Sequence, residues 1–151
     1  MKANLLSERL LLTLWVGSLC AIGYIAVPMA FATLGDVTLA GNYAGKLFSA
    51  VNILGLGCGS VLLISKLISS GKSVTTLWRF WVLVIMLSLT LVFVFYLQPE
   101  IVTIKQLISG GEDTVLERFD LFHRLSKDLY MLVTLLGLAL VVSSDRREVN
   151  S

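Results

Sequence analysis

Four runs of this chain hold no Asp, Glu, Lys or Arg: Leu10–Gly35, Leu47–Ser65, Phe80–Pro99 and Leu129–Ser144, of 26, 19, 20 and 16 residues. A helix rises about 1.5 Å per residue and the hydrocarbon core of a bilayer is about 30 Å thick, so about 20 apolar residues cross it. The pattern predicts an all-α fold: a four-helix transmembrane bundle with spans near 9–33, 43–68, 77–98 and 119–143. Fewer than half the residues remain for loops, which predicts a single membrane domain over 1–151.

Local chemistry marks the ends of these helices. Pro28 lies in the last third of the first span; without an amide hydrogen, and with its ring against the Tyr24 carbonyl, it predicts a kink. Leu34-Gly35-Asp36 reads as the turn into a second helix from about Thr38 to Ile68. Ser69-Ser70-Gly71-Lys72-Ser73 reads as a polar loop. The third span starts near Thr76 with Trp78 and Trp81 at interfacial depth, where one edge of an indole stays wet, and it ends near Pro99. Ile101, Ile104 and Ile108 share one face of a short amphipathic tail closed by Ser109-Gly110-Gly111. Thr114 and Glu117 have capping-box spacing, so the fourth helix is expected from near Val115 to about Ser143.

Composition agrees with the pattern. The chain is 56% hydrophobic and 15% charged, against about 25% charged in soluble domains, so the expected solvent for most side chains is lipid. A formal charge of +2, with no Lys/Arg tract, excludes a nucleic-acid partner. Cys20 and Cys58 both sit inside apolar spans and read as reduced thiols. The apolar run Leu10–Val27 has 18 residues, longer than the roughly 7–15 of a signal-peptide core, so the first span is expected to be retained.

Lys/Arg counts predict orientation. Seven (Lys2, Arg9, Lys66, Lys72, Arg79, Arg146, Arg147) fall on the side of the termini and middle loop, against five (Lys46, Lys105, Arg118, Arg124, Lys127) opposite. Basic residues collect in cytoplasmic loops, so N- and C-termini are expected to be cytoplasmic, in a multi-pass protein of the bacterial inner membrane.

Two spans carry unusual polar patterns. The uncharged part of the fourth covers only about 24 Å, so it must draw in a segment holding Asp120, His123, Arg124, Lys127 and Asp128. Asp120 and Arg124 have pairing distance along a helix, as does His123 with Asp120 or Lys127. Phe119, His123, Ser126, Tyr130, Thr134 and Gly137 form one stripe expected to face the bundle. The functional reading is a polar pocket at His123, Asp120, Ser126 and Tyr130, with Asn52 as a further candidate; the plainer reading is a wet, paired first two turns. In the second span Gly41, Gly45, Gly55 and Gly59 recur at helical spacing, and Gly17 and Ala21 form a matching small stripe in the first. Small residues let helices approach closely in lipid, so packing of these two spans is expected, with homodimerisation as the alternative.

No cofactor is expected. His123 is the only histidine, which excludes bis-histidine haem ligation within one subunit. Cys20 and Cys58, with Met29, Met86 or Met131, are the soft donors of a copper(I) alternative, without a Cys-x-x-Cys or Met-x-x-Met motif to support it. No nucleophile–base pairing or phosphate loop stands out, and no carboxylate lies mid-span, which argues against a proton-coupled pump.

Several segments together resemble a known family. They are Leu14-Trp15-Val16-Gly17-Ser18, Val27-Pro28-Met29-Ala30-Phe31-Ala32-Thr33-Leu34, Ala40-Gly41-Asn42-Tyr43-Ala44-Gly45-Lys46-Leu47-Phe48 and Arg118-Phe119-Asp120-Leu121-Phe122-His123-Arg124-Leu125-Ser126. The chain resembles domain-of-unknown-function family 4149, bacterial relatives of a eukaryotic four-span membrane protein group, from about Glu8 to Ser143. That family is distantly similar to the copper-resistance protein D domain and to a membrane protoporphyrinogen oxidase. It departs from the family at Tyr130, where the resemblance implies a polar amide. The resemblance implies a four-helix membrane domain and no reaction. The expectation is a non-enzymatic interaction or packing module that gathers a membrane partner, a second copy or lipid; the alternative is small-molecule or copper transport through the bundle interior.

Overall fold

A computed structural model describes residues 2–70, 75–111 and 113–143, and all regular structure among them is helical. Helix α1 (Lys2–Ala21) runs through a π-turn (Ile22–Ala26) into α2 (Val27–Thr33), and α3 (Val37–Ser70) follows. Helix α4 (Trp78–Val92) runs through a second π-turn (Phe93–Leu97) into α5 (Gln98–Ser109). A 3-10 turn (Asp113–Val115) leads into α6 (Leu116–Val142). Four stretches are long and apolar enough to cross a membrane: Leu6–Thr33, Val37–Ser69, Trp78–Ser109 and Leu116–Val142.

Each helix touches its neighbour in sequence, and α6 closes the ring by packing on both α1 and α4. The buried stripe of α1 is Leu12, Trp15, Val16 and Leu19, at the i, i+3, i+4, i+7 spacing that puts side chains on one helix face. Against it pack Val51, Cys58 and Leu62 of α3, Leu83 and Met86 of α4, and Tyr130, Val133 and Leu140 of α6. The outer faces are also apolar: Leu10, Ile53, Ile85 and Leu135 are all exposed. A helix apolar on both faces suits a lipid solvent, because its backbone groups are bonded within the helix and its side chains ask nothing of water.

The two prolines are handled alike. Each stands two residues beyond a π-turn, Pro28 after Ala26 and Pro99 after Leu97. The Val27 amide donates five residues back to the Ile22 carbonyl, and the Gln98 amide donates likewise to Phe93. Widening the turn moves the carbonyls away from the proline ring that would otherwise press on them. At Pro28, where a kink is expected, the structure places a π-turn just before the proline. The third helix, expected to end near Pro99, instead continues to Ser109. Ile104, expected on a separate tail, is consequently a buried part of that span.

The second and fourth spans start within a residue of expectation, at Val37 and Leu116, but their caps were not foreseen correctly. The Asp36 carboxylate accepts from the amides of Thr38 (2.7 Å) and Leu39 (3.2 Å), so it caps α3, which begins at Val37. The Thr114–Glu117 capping box does not form: Val115 is the N-cap of α6 and no side chain bonds there. The 3-10 turn carries Thr114 inside itself and so removes the extended geometry a capping threonine needs. Of the basic residues used to predict orientation, Lys72, Arg146 and Arg147 lie outside the described residues, as do most of the Ser69–Ser73 loop residues.

Candidate functional site

The polar residues inside the bundle gather where α6 crosses α1, α3 and α4. Ser126, Tyr130, Thr134 and Gly137 are buried and form one face of α6. Ser126 donates to the Phe122 carbonyl (2.7 Å) and Thr134 to the Tyr130 carbonyl (2.9 Å), so both hydroxyls are satisfied one turn back on their own helix. Gly137 leaves room for its neighbours: a Cβ there would lie 2.6 Å from Val16 Cγ2 and 3.1 Å from Met86 Cε.

Tyr130 reaches further. Its hydroxyl donates to the Leu19 carbonyl (2.7 Å) at the approach to the first π-turn. Gly23 makes this possible, because a Cβ there would stand 2.3 Å from the Tyr130 ring. The ring meets Phe48 edge-on, with centroids 4.9 Å apart, and Phe48 lies 6.3 Å from Phe93. Edge-to-face contact is the favoured arrangement of such pairs. An aromatic chain therefore ties α6, α3 and the second π-turn together.

Beside this chain is a cavity of about 10 Å³, bordered by Leu19, Asn52, Thr90, Phe93, Tyr130 and Val133 among others. Asn52 is 4% exposed, and its side-chain Nδ2 has no hydrogen-bond partner. The Thr90 hydroxyl donates to the Met86 carbonyl (2.8 Å). Of the five candidate pocket residues, the structure thus brings Asn52 and Tyr130 to one cavity. Ser126 is buried but turned to its own backbone. His123 and Asp120 are exposed and do not border the cavity. His123 stacks on Phe119, with rings 5.8 Å apart and 12° from parallel. Asp120 and Arg124 form no ion pair, and His123 donates to neither Asp120 nor Lys127.

The small residues divide into two groups. Gly55 and Gly59 are buried beneath Trp15: a Cβ on Gly55 would lie 2.3 Å from its Nε1, and one on Gly59 would lie 2.9 Å from its Cζ3. Gly41 and Gly45 instead offer carbonyls to α5, which Lys105 Nζ (3.1 Å) and Gln98 Nε2 (3.1 Å) reach. Gly17 and Ala21, the small stripe expected to meet the second span, lie exposed, and nothing stands within 4 Å of a Cβ on Gly17. The large Trp15 occupies that contact, because two glycines opposite it open a slot wide enough for an indole.

Polar stitches close both ends. At the end holding the first helix's start, Lys66 pairs with Glu8 (2.8 Å) and Arg79 donates to the Ser143 carbonyl. At the other end Arg118 pairs with Glu100 (3.1 Å) and lies over the Phe122 ring. Cys58 is buried in the core and Cys20 packs against it. Among the described residues, no group of three or more His, Cys, Asp or Glu side chains is placed to hold a metal ion.

Sequence reading missed Trp15, Leu19, Gly23, Phe48 and Thr90. Each proline signals a disturbed turn, but the carbonyl that accepts from Tyr130 leaves no mark in residue type. A family model described as domain of unknown function (DUF4149) matches residues 10–109. The matched stretch takes in the first three spans and ends before α6. No curated protein and no solved structure matches the chain.

Proposed function

Because the chain belongs to the domain of unknown function family DUF4149, we propose that it is a non-enzymatic interaction module of the bacterial inner membrane. Its four apolar helices make it a multi-pass membrane protein. The observation that carries the reading is the division of polar groups between interior and end. The interior hydroxyls of Ser126, Tyr130 and Thr134 are satisfied by the chain's own carbonyls. Asp120, His123, Arg124 and Lys127 are exposed together at the start of α6, alongside exposed Leu121 and Leu125.

A mixed apolar and charged surface at the edge of the bilayer suits a membrane-protein partner, which can cover leucines and meet charges in one contact. The Lys/Arg distribution supports termini on the cytoplasmic side and this surface on the opposite one. A photo-crosslinking residue placed at Leu121 in native membranes is expected to capture a discrete protein, while the same residue at exposed Leu135 captures none. Equal, protein-free patterns at both positions would reject the reading.

The second reading, copper or small-molecule transport, has one observation in its favour: both thiols belong to the bundle interior, Cys58 within the core cluster and Cys20 at its margin. Stoichiometric copper in purified protein, lost in a Cys20→Ser/Cys58→Ser variant, would select it.

A further inference from the structure

The cavity beside Asn52 shows an imbalance of hydrogen-bonding groups. Asn52 falls near the midpoint of the Val37–Ser69 span. It is 4% exposed, and its Nδ2 is a donor without an acceptor. In a low-dielectric interior such a group is costly, so native structures rarely leave one unmet.

Two acceptors border the same space. The Thr90 hydroxyl hydrogen is committed to the Met86 carbonyl and the Tyr130 hydroxyl hydrogen to the Leu19 carbonyl, which leaves lone pairs on both oxygens. The remaining lining is apolar: Leu19, Leu89, Phe93 and Val133 among it. Asn52, with its unmet donor, and Thr90 and Tyr130, whose oxygens keep spare lone pairs, therefore line one space of about 10 Å³. That volume is about one water-sized sphere, and a buried water typically makes about three hydrogen bonds.

We propose that this cavity is a binding site for a single structural water molecule, which accepts from Asn52 Nδ2 and donates to the hydroxyl oxygens of Thr90 and Tyr130. A metal cation does not fit the set, since an unmet N–H donor repels it and the lining holds no carboxylate, thiol or imidazole. An anion has only that one donor to meet it. The water joins the second, third and fourth spans at mid-membrane depth, where no direct side-chain hydrogen bond links α3 to α6 among the described residues.

The test uses the full-length protein in lipid nanodiscs with ¹⁵N-labelled asparagine. Only four side-chain amides, those of Asn4, Asn42, Asn52 and Asn150, then contribute signals. A water-selective cross-relaxation experiment is expected to show a cross-peak from the Asn52 side-chain amide to a bound water, distinct from bulk exchange. Thr90→Val removes one acceptor while keeping side-chain volume, and the cross-peak is expected to be lost in that variant. Absence of the cross-peak in the wild-type protein, with the Asn52 signal visible, overturns the proposal. So does a cross-peak that Thr90→Val leaves unchanged. Should Thr90→Val fail to fold, the wild-type spectrum decides alone.

Discussion

The Tyr130 hydroxyl donates 2.7 Å to the carbonyl of Leu19, joining the last helix to the first at the level of a π-turn. The bond crosses 111 positions of sequence. Tyr130→Phe keeps the ring on Phe48 and removes only the hydroxyl. The expected loss of stability is about 1 kcal/mol, in line with interhelical hydrogen bonds in membranes. Thermal unfolding in detergent, read by tryptophan fluorescence, measures it.

The glycines under Trp15 predict a sharp contrast. Gly55→Ala puts a methyl group 2.3 Å from the indole nitrogen, so the ring must move. Overpacking of this kind costs about 1–3 kcal/mol. Gly17→Ala meets open space and is expected to change stability by less than about 0.5 kcal/mol. Comparing the two by the same unfolding assay separates the slot from the exposed small stripe.

Glu8 and Lys66 are both largely buried, with side chains 17% and 12% exposed. Glu8→Gln leaves an ammonium without its partner and is expected to destabilise by about 2 kcal/mol, between the exposed and the deeply buried cases. The exchange Glu8→Lys/Lys66→Glu restores the pair and is expected to recover most of the loss. Unfolding midpoints of the three proteins decide this.

Topology is open to direct measurement. Reporters fused after residue 73 and at the C-terminus are expected to report the cytoplasmic side, and one fused after residue 111 the opposite side. An inverted pattern would reverse the surface assigned to partner binding and leave the bundle itself untouched.

The helices were plain in the sequence because lipid imposes a single demand, length without charge, that residue type alone satisfies. What the sequence hid depends on backbone geometry. Pro28 and Pro99 signal disturbed turns, but whether a helix stops, bends or widens is decided by what packs beside it. At Pro99, burial of Leu97 and Ile104 on the bundle face carries the helix onward. The polar stripe of α6 was legible from Ser126 to Gly137, yet His123, expected to continue it, is exposed and stacks on Phe119. Asn52 and Tyr130, both assigned to the candidate pocket, do share a cavity, through a meeting of α3 and α6 that spacing within either helix does not encode.

Trp15 spans the two glycines of α3 as a gauge block spans two marks. Its five-membered ring sits over Gly55 and its six-membered ring over Gly59. Sliding the first helix along the second by one turn, about 5.4 Å, would bring the indole against Val51 or Leu63 instead. The hairpin therefore has one axial setting, and two inserted helices have a mechanical reason to stop sliding where they do.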